Sequence, residues 1–253
     1  MFLEIVFVDR ANVTGDLLAV KHLSQSTDQG LRFVGEHMVY PFLAALAVTE
    51  REGGDLEAAV TRFEAIEPAD SRMELIRSSA GITLLDDSYK GGLETVYAAL
   101  NALAELPVGR KVFLFSEIED PPGKRTAINR EIRHRMAGVA DIVFCLGSQR
   151  HISSLRAGAV EAGMKAENVH LIGSGIDAAI PVLMNELRPG DFLLVRGMGT
   201  QRLRRIVLRL LGRNVAYAVK YCDVKVNSCD VCPLLNAPAE LFGNPYIARY
   251  VRQ

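Results

Sequence analysis

Two adjacent carboxylates, Asp86 and Asp87, close the apolar run GITLLDD (81–87), and Ser88, Tyr89, Lys90, Gly91 and Gly92 lead from it into a helical pattern. Acids at the carboxyl end of a buried strand face the crevice where α/β proteins bind ligands, so the pair could orient a ribose, a magnesium ion or an amine. The same acids could instead cap the helix that follows, and local chemistry does not choose between the two roles. A second acidic turn, Glu117-Ile118-Glu119-Asp120, follows another strand-like run and reads either as a contact for an acceptor or as a solvated turn.

Three further groups of residues need weighing. Cys222, Cys229 and Cys232 form a C-x6-C-x2-C cluster. Zinc takes four ligands, so Cys145 or a histidine would have to complete such a site. The doubled C-x2-C pattern of a zinc site is missing, which favours free thiols. The segment QRLRRIVLRLLGR (201–213) holds five arginines, but Leu203, Ile206, Val207, Leu210 and Leu211 recur at helical spacing. The arginines are therefore expected on the solvated face of a packed helix rather than on nucleic acid. His134, His151 and His170 lack a serine or cysteine partner in a nucleophile motif and are given no catalytic role.

The elements that would position these groups are regular from residue 81 onward. Apolar runs at 81–87, 111–117, 141–147, 168–174 and 191–197 read as strands, and amphipathic stretches near 93–106, 126–137, 153–162, 178–187 and 201–211 read as helices. Pro181 falls near the predicted start of the fourth helix, where a missing backbone donor costs nothing. Strands alternating with helices at this spacing predict an α/β fold: a Rossmann-like, mostly parallel sheet with helices on both faces. Ahead of it, MFLEIVFV, LLAV and LRFV within the first 34 residues suggest short antiparallel strands. Two helices are predicted next, one from about His37 to Gly53-Gly54 and one over Leu56 to Phe63. After Gly212 the rhythm breaks into a cysteine-containing appendage.

Composition sets outer limits. Of 253 residues, 49% are apolar and 23% charged, as in an ordinary globular chain, and the formal net charge of -1 gives no general attraction to nucleic acid or anionic membrane. The apolar run Phe42 to Val48 is too short to span a bilayer, and the first residues lack a basic leader. Four cysteines in a chain of this length do not make a disulfide framework, so a cytoplasmic protein with reduced thiols is expected.

The order of the motifs resembles the carboxy-terminal region of the Mur ligase family, most like the branch that adds D-alanyl-D-alanine to the muramyl tripeptide. A strand followed by Asp86-Asp87-Ser88-Tyr89 and a helix is similar to that branch's Asp-Asp-[Ser/Thr]-Tyr-Asn-Ala-Asn-Pro. Upstream, Gly35-Glu36-His37-Met38-Val39-Tyr40-Pro41-Phe42-Leu43-Ala44-Ala45 resembles the family's Gly-x-His-Asn-x-x-Asn-x-x-Ala-Ala helix, and Arg72 lies where an arginine precedes the last domain. Downstream, Pro189-Gly190-Asp191 through Val195-Arg196-Gly197 resembles Pro-Gly-Asp-x-x-Leu-x-Lys-Gly-Ser. The likeness runs over roughly 31 to 212.

The resemblance implies a chain divided into a remnant of a central domain (1–67), a Rossmann-like domain (68–212) and a cysteine-containing extension (213–253). It implies ATP and magnesium as cofactors, and a peptide or amino-acid acceptor whose amine attacks an acyl phosphate. Arg72 would contact nucleotide phosphate, Asp86 and Asp87 would face the nucleotide, Tyr89 would line the same crevice, and His37 would lie near the adenine. The family's asparagines become Met38 and Pro41, and its Asn-Ala-Asn-Pro turn becomes Lys90-Gly91-Gly92-Leu93, which leaves Lys90 as a candidate for phosphate. No Gly-Lys-Thr/Ser loop occurs in the sequence, although that loop supplies the amides and the lysine that cradle phosphates. Two functions follow as expectations. One is part of an amide ligase that needs a loop-bearing subunit or amino-terminal half to act. The other is a non-catalytic scaffold with the extension as its contact surface. Neither membrane nor nucleic acid is an expected partner.

Overall fold

The computed structural model describes residues 2–7, 18–23, 33–63, 65–173, 176–216, 222 and 228–237. The amino-terminal strands β1 (Phe2–Phe7) and β2 (Leu18–Leu23) pair antiparallel. Of the expected strand at 31–34, the first half lies outside the described residues; Phe33 and Val34 are buried without strand structure. Helices α1 (Val39–Arg51) and α2 (Leu56–Phe63) follow. Gly53 ends α1 in the left-handed region at φ 71°, and the Asp55 carboxylate accepts from the backbone amides of Glu57 and Ala58 at 2.9 and 3.1 Å to start α2. The two helices close over their own small core of Phe33, Val39, Phe42, Leu46 and Phe63.

The main sheet has six strands in the order β3-β4-β8-β5-β6-β7. These are β3 (Glu74–Arg77), β4 (Thr83–Asp87), β5 (Lys111–Phe115), β6 (Ile142–Leu146), β7 (Val169–Ile172) and β8 (Phe192–Arg196). Five run parallel, and only β3 at the edge is antiparallel to its neighbour β4. The five parallel strands are the five apolar runs of the sequence, and side-chain alternation along them feeds two cores. Leu85, Phe113, Phe115, Val143, Cys145 and Leu194 pack on one face with α3 (Leu93–Glu105), α4 (Arg125–Val139) and α5 (Gln149–Glu161). Leu84, Leu114, Phe144, Leu193 and Val195 pack on the other with α6 (Ile176–Glu186), α7 (Arg204–Leu210) and Leu235 of the extension.

Inserting β8 between β4 and β5 matters for function. The chain leaves β4 and β5 toward one face of the sheet and leaves β8 toward the other, so the carboxyl ends of these strands flank a switch point where such folds open a crevice.

Two expectations change. Pro181 stands in the second turn of α6, not its first, so it removes an interior backbone donor. The arginines of α7 are not all solvated, because Arg204 and Arg205 are buried. That helix is short and wedged between the sheet and the turn at Cys229–Val231, so its first turn meets carboxylates instead of water. Among the described residues no helix is long and apolar enough to cross a membrane.

Candidate functional site

Asp86 and Asp87 end β4 on opposite faces of the sheet, as successive strand residues must. Asp86 is fully buried on the α7 side. It accepts from the Ser71 hydroxyl at 3.0 Å, the Arg204 guanidinium at 2.9 Å and the Ser88 amide at 3.1 Å. Arg204 also binds Glu74 at 2.7 Å and grips Asp230 of the extension through two nitrogens at 2.7 and 3.1 Å. Burial alone would lower the Arg204 pKa, but the hydrogen bond to Asp230 and the charges of Asp86 and Glu74 raise it above the ordinary value. Asp86 therefore does not face the crevice; it anchors the end of β4 to α7 and the extension.

Asp87 takes the other face, where the parallel register sets it beside Arg196 and the two form an ion pair. The Arg196 guanidinium also donates to the carbonyls of Asp87 and Lys90, each at 3.0 Å, and to the Thr95 hydroxyl. One buried cation thus shapes the whole turn from strand to helix. Burial and the nearby charge of Arg72 bring the Arg196 pKa down to about 10, which leaves it charged at neutral pH.

Arg72 and Tyr89 lie exposed at the mouth, the Arg72 guanidinium 4.2 Å above the centre of the Tyr89 ring. Their placement is built into the backbone. Ser71 and Met73, on either side of Arg72, both adopt left-handed conformations, at φ 59° and 52°. Such conformations cost about 1–2 kcal/mol each for residues with a side chain and persist only where the surroundings hold them. Here the two aspartates do the holding: Asp86 binds the Ser71 hydroxyl, and Asp87 accepts from the Met73 amide at 3.3 Å. The Tyr89 amide donates to the Ser71 carbonyl at 3.0 Å and completes the link between the two segments.

His37 is half-buried near Arg196, and burial followed by the charge of Arg196 lowers its pKa, so it is neutral at pH 7. Its imidazole folds over Gly35, where a Cβ would lie 2.7 Å from the ring. Lys90 is exposed beside Tyr89. The structure thus gathers His37, Arg72, Asp87, Tyr89 and Lys90 around Arg196 and sends Asp86 to the opposite face.

Where the turn at 89–91 meets the loop at 197–199, backbone packs against backbone. A Cβ on Gly91 would come within 2.6 Å of the Gly197 carbonyl, and one on Gly199 within 2.5 Å of the Tyr89 carbonyl. Glu119 locks the two loops together: its amide donates to the Gly91 carbonyl at 2.7 Å, and its carboxylate accepts from the Gly199 amide at 2.8 Å. The acidic turn read as a possible acceptor contact therefore has a structural task in Glu119. The remaining candidates are bland. His170 stacks on Phe144 with centroids 4.9 Å apart, His134 is exposed, and Cys145, Cys222, Cys229 and Cys232 are free thiols. Among the described residues no group of three or more His, Cys, Asp or Glu is arranged to hold a metal ion.

Residues 71–199 match the family model for the Mur ligase glutamate ligase domain, a span that opens at the strained Ser71 turn and closes at Gly199. The chain belongs to the Mur ligase family. Among its relatives, a UDP-N-acetylmuramoyl-tripeptide–D-alanyl-D-alanine ligase of Mycobacterium bovis is 26% identical over 204 residues, 74% of this chain and 40% of that protein. The Escherichia coli ligase of the same name is 28% identical over 138 residues, 54% of this chain and 30% of that one. This Mur ligase chain thus matches only about 40% of the length of its first relatives. Solved structures share the fold. A MurF crystal structure from Acinetobacter baumannii has a TM-score of 0.62 at 23% identity over 74% of this chain and 41% of that one. MurF ligase from Thermotoga maritima in complex with ADP has a TM-score of 0.58 at 17% identity, covering 71% and 38%.

Arg196 is the site residue that sequence reasoning missed. It stands where the family carries a lysine before Gly-Ser, and that motif was the available signal. Its partnership with Asp87 depends on β8 lying beside β4, and strand order is not written in the local pattern.

Proposed function

We propose that this chain supplies one wall of the nucleotide site of an ATP-dependent amide ligase of cell-wall precursor synthesis. The observation that carries the reading is the pair Arg72–Tyr89, a cation and an aromatic ring presented at the crevice by a strained turn that both aspartates pin. Strain retained at a crevice mouth points to a use for the residue it presents. The donor set suits a nucleotide: Arg72 and Lys90 can meet phosphate, and Tyr89 and neutral His37 can face a base or ribose. Arg196 keeps the turn in shape without spending its own donors on ligand.

Magnesium does not fit these residues. Asp87 is committed to Arg196 and Asp86 to Arg204, so neither carboxylate is open to a cation. Metal and phosphate loop would both come from a segment carrying Gly-Lys-Thr/Ser, either a separate subunit or an amino-terminal half, and the acceptor amine would enter beside the assembled site. On this reading the chain forms no amide bond alone. During phosphoryl transfer it would contribute positioning and positive charge, which is where most of the catalysis of that reaction lies.

The second reading, a binding scaffold without ATP chemistry, is favoured by the closure of both carboxylates on internal arginines. Calorimetric titration with ATP separates the two. Saturable binding that Arg72→Ala weakens about tenfold, with an unchanged unfolding midpoint, supports the ligase wall. Absence of heat up to millimolar ATP, with or without the loop-bearing segment, supports the scaffold.

A further inference from the structure

The cysteines of the extension form a cluster that the nucleotide reading leaves unused. Cys229–Val231 is a 3-10 turn, closed by the Cys232 amide donating to the Cys229 carbonyl at 3.2 Å. A turn closed in this way holds its end Cα atoms within about 7 Å, and at three residues per turn the end side chains eclipse. Disulfides span Cα separations of about 4.4–6.8 Å, so the upper limit that the turn sets overlaps the range a Cys229–Cys232 bridge needs.

The turn is also held from outside. The Ser228 hydroxyl accepts from the Asp230 amide at 3.1 Å and donates to the Asp230 carboxylate at 2.9 Å. Arg204 clamps the same carboxylate through two nitrogens, and Arg213 binds it at 3.1 Å. Accessibility divides the roles, because Cys229 is buried in the second core whereas Cys232 is partly exposed. We propose that Cys229 and Cys232 are a disulfide-forming dithiol that reacts with low-molecular-weight disulfides through Cys232.

The chemistry balances as two exchanges. The Cys232 thiolate attacks one sulfur of the small disulfide, whose S–S bond breaks and releases one thiolate that takes up a proton. Cys229 then gives its proton to water and attacks the Cys232 sulfur of the mixed disulfide, and the second small thiol leaves. The protein is oxidised by two electrons and the small disulfide is reduced to two thiols. Burial pushes the Cys229 thiol up to about 11 against the opposing charges of Arg202 and Arg205, so the second exchange is the slow one at neutral pH.

The test is a time course with oxidised glutathione on the purified chain, followed by acid quench, alkylation and peptide mass mapping. The expected record is a glutathione adduct at Cys232 that converts to a Cys229–Cys232 bridge, about 2 Da lighter than the dithiol and reversed by excess thiol. Conversion should speed up toward tenfold per pH unit between about pH 7 and 9 as Cys229 ionises. Cys232→Ser should give neither adduct nor bridge at this turn. An adduct at Cys232 that never closes, a bridge joining Cys222 instead, or oxidation that persists in Cys232→Ser would each overturn the assignment.

Discussion

On one face of β4 the Asp86 carboxylate is sealed from water and shared among a hydroxyl, an amide and Arg204; on the other, Asp87 sits at the rim of the crevice beside Arg196. Each aspartate pairs with one arginine and pins one end of the Ser71–Met73 turn, yet the surroundings differ. Arg204 ends in a network of three carboxylates that reaches β3 and the extension. Arg196 donates from its two terminal nitrogens to one carboxylate, two carbonyls and a hydroxyl around the strand-to-helix turn under Arg72 and Tyr89. The first arrangement holds the domain together, and the second shapes a surface. Adjacent identical residues at a strand end can therefore carry unlike tasks, because alternation sends them to opposite layers.

Removing Arg204 should break the comparison most severely. Arg204→Ala leaves Asp86 buried without its cation and should cost about 3–5 kcal/mol in urea unfolding. A loss below about 1 kcal/mol would mean that the network carries little. Asp87→Asn comes next, at about 2 kcal/mol, since Arg196 would stay buried against neutral oxygens alone. Its loss should be accompanied by faster hydrogen exchange at the Met73 amide, which Asp87 accepts.

The smallest effect concerns pH. Burial would raise the Asp230 pKa, but its hydrogen bond and ion pair with Arg204, together with Ser228 and Arg213, hold it below the ordinary carboxylate value. A carboxyl depressed in the folded state contributes stability that is present above its unfolded pKa of about 3.9 and lost as pH falls through the folded value. Asp230→Asn should therefore lower the unfolding midpoint at pH 7 and shrink the loss of stability that sets in as pH falls below about 4. An unchanged acid limb would place that sensitivity elsewhere.

Much of the fold was legible, for identifiable reasons. The parallel strands are apolar on both faces because helices cover both, so they stand out as continuous runs such as FLLVR (192–196). Strand β3 escaped notice because an edge strand with only Leu75 and Ile76 apolar carries too weak a signal. The site was legible as a neighbourhood around Asp86 to Lys90 but not as an arrangement. Spacing alone cannot tell that Arg204 turns inward, since helical periodicity marks Leu203 and Ile206 as core without saying what waits beside the first turn. Nor could it separate Asp86 from Asp87, or pair Asp87 with a residue 109 positions away in sequence. The acidic turn ending at Asp120 read as either an acceptor contact or a solvated turn because its partners, the amide of Gly199 and the carbonyl of Gly91, are backbone groups that composition does not display.

The measurement that tests the division of labour most directly is a crossed one, with ATP affinity and unfolding midpoint read on both Tyr89→Ala and Arg204→Ala. Tyr89→Ala is expected to lose most ATP affinity and keep its midpoint, because its ring is exposed at the mouth. Arg204→Ala is expected to lose several degrees of midpoint and, at a temperature where it remains folded, to bind ATP within about threefold of the unaltered chain. Equal affinity losses in the two variants, or full affinity in Tyr89→Ala, would contradict the placement of the nucleotide on the Asp87 side of β4.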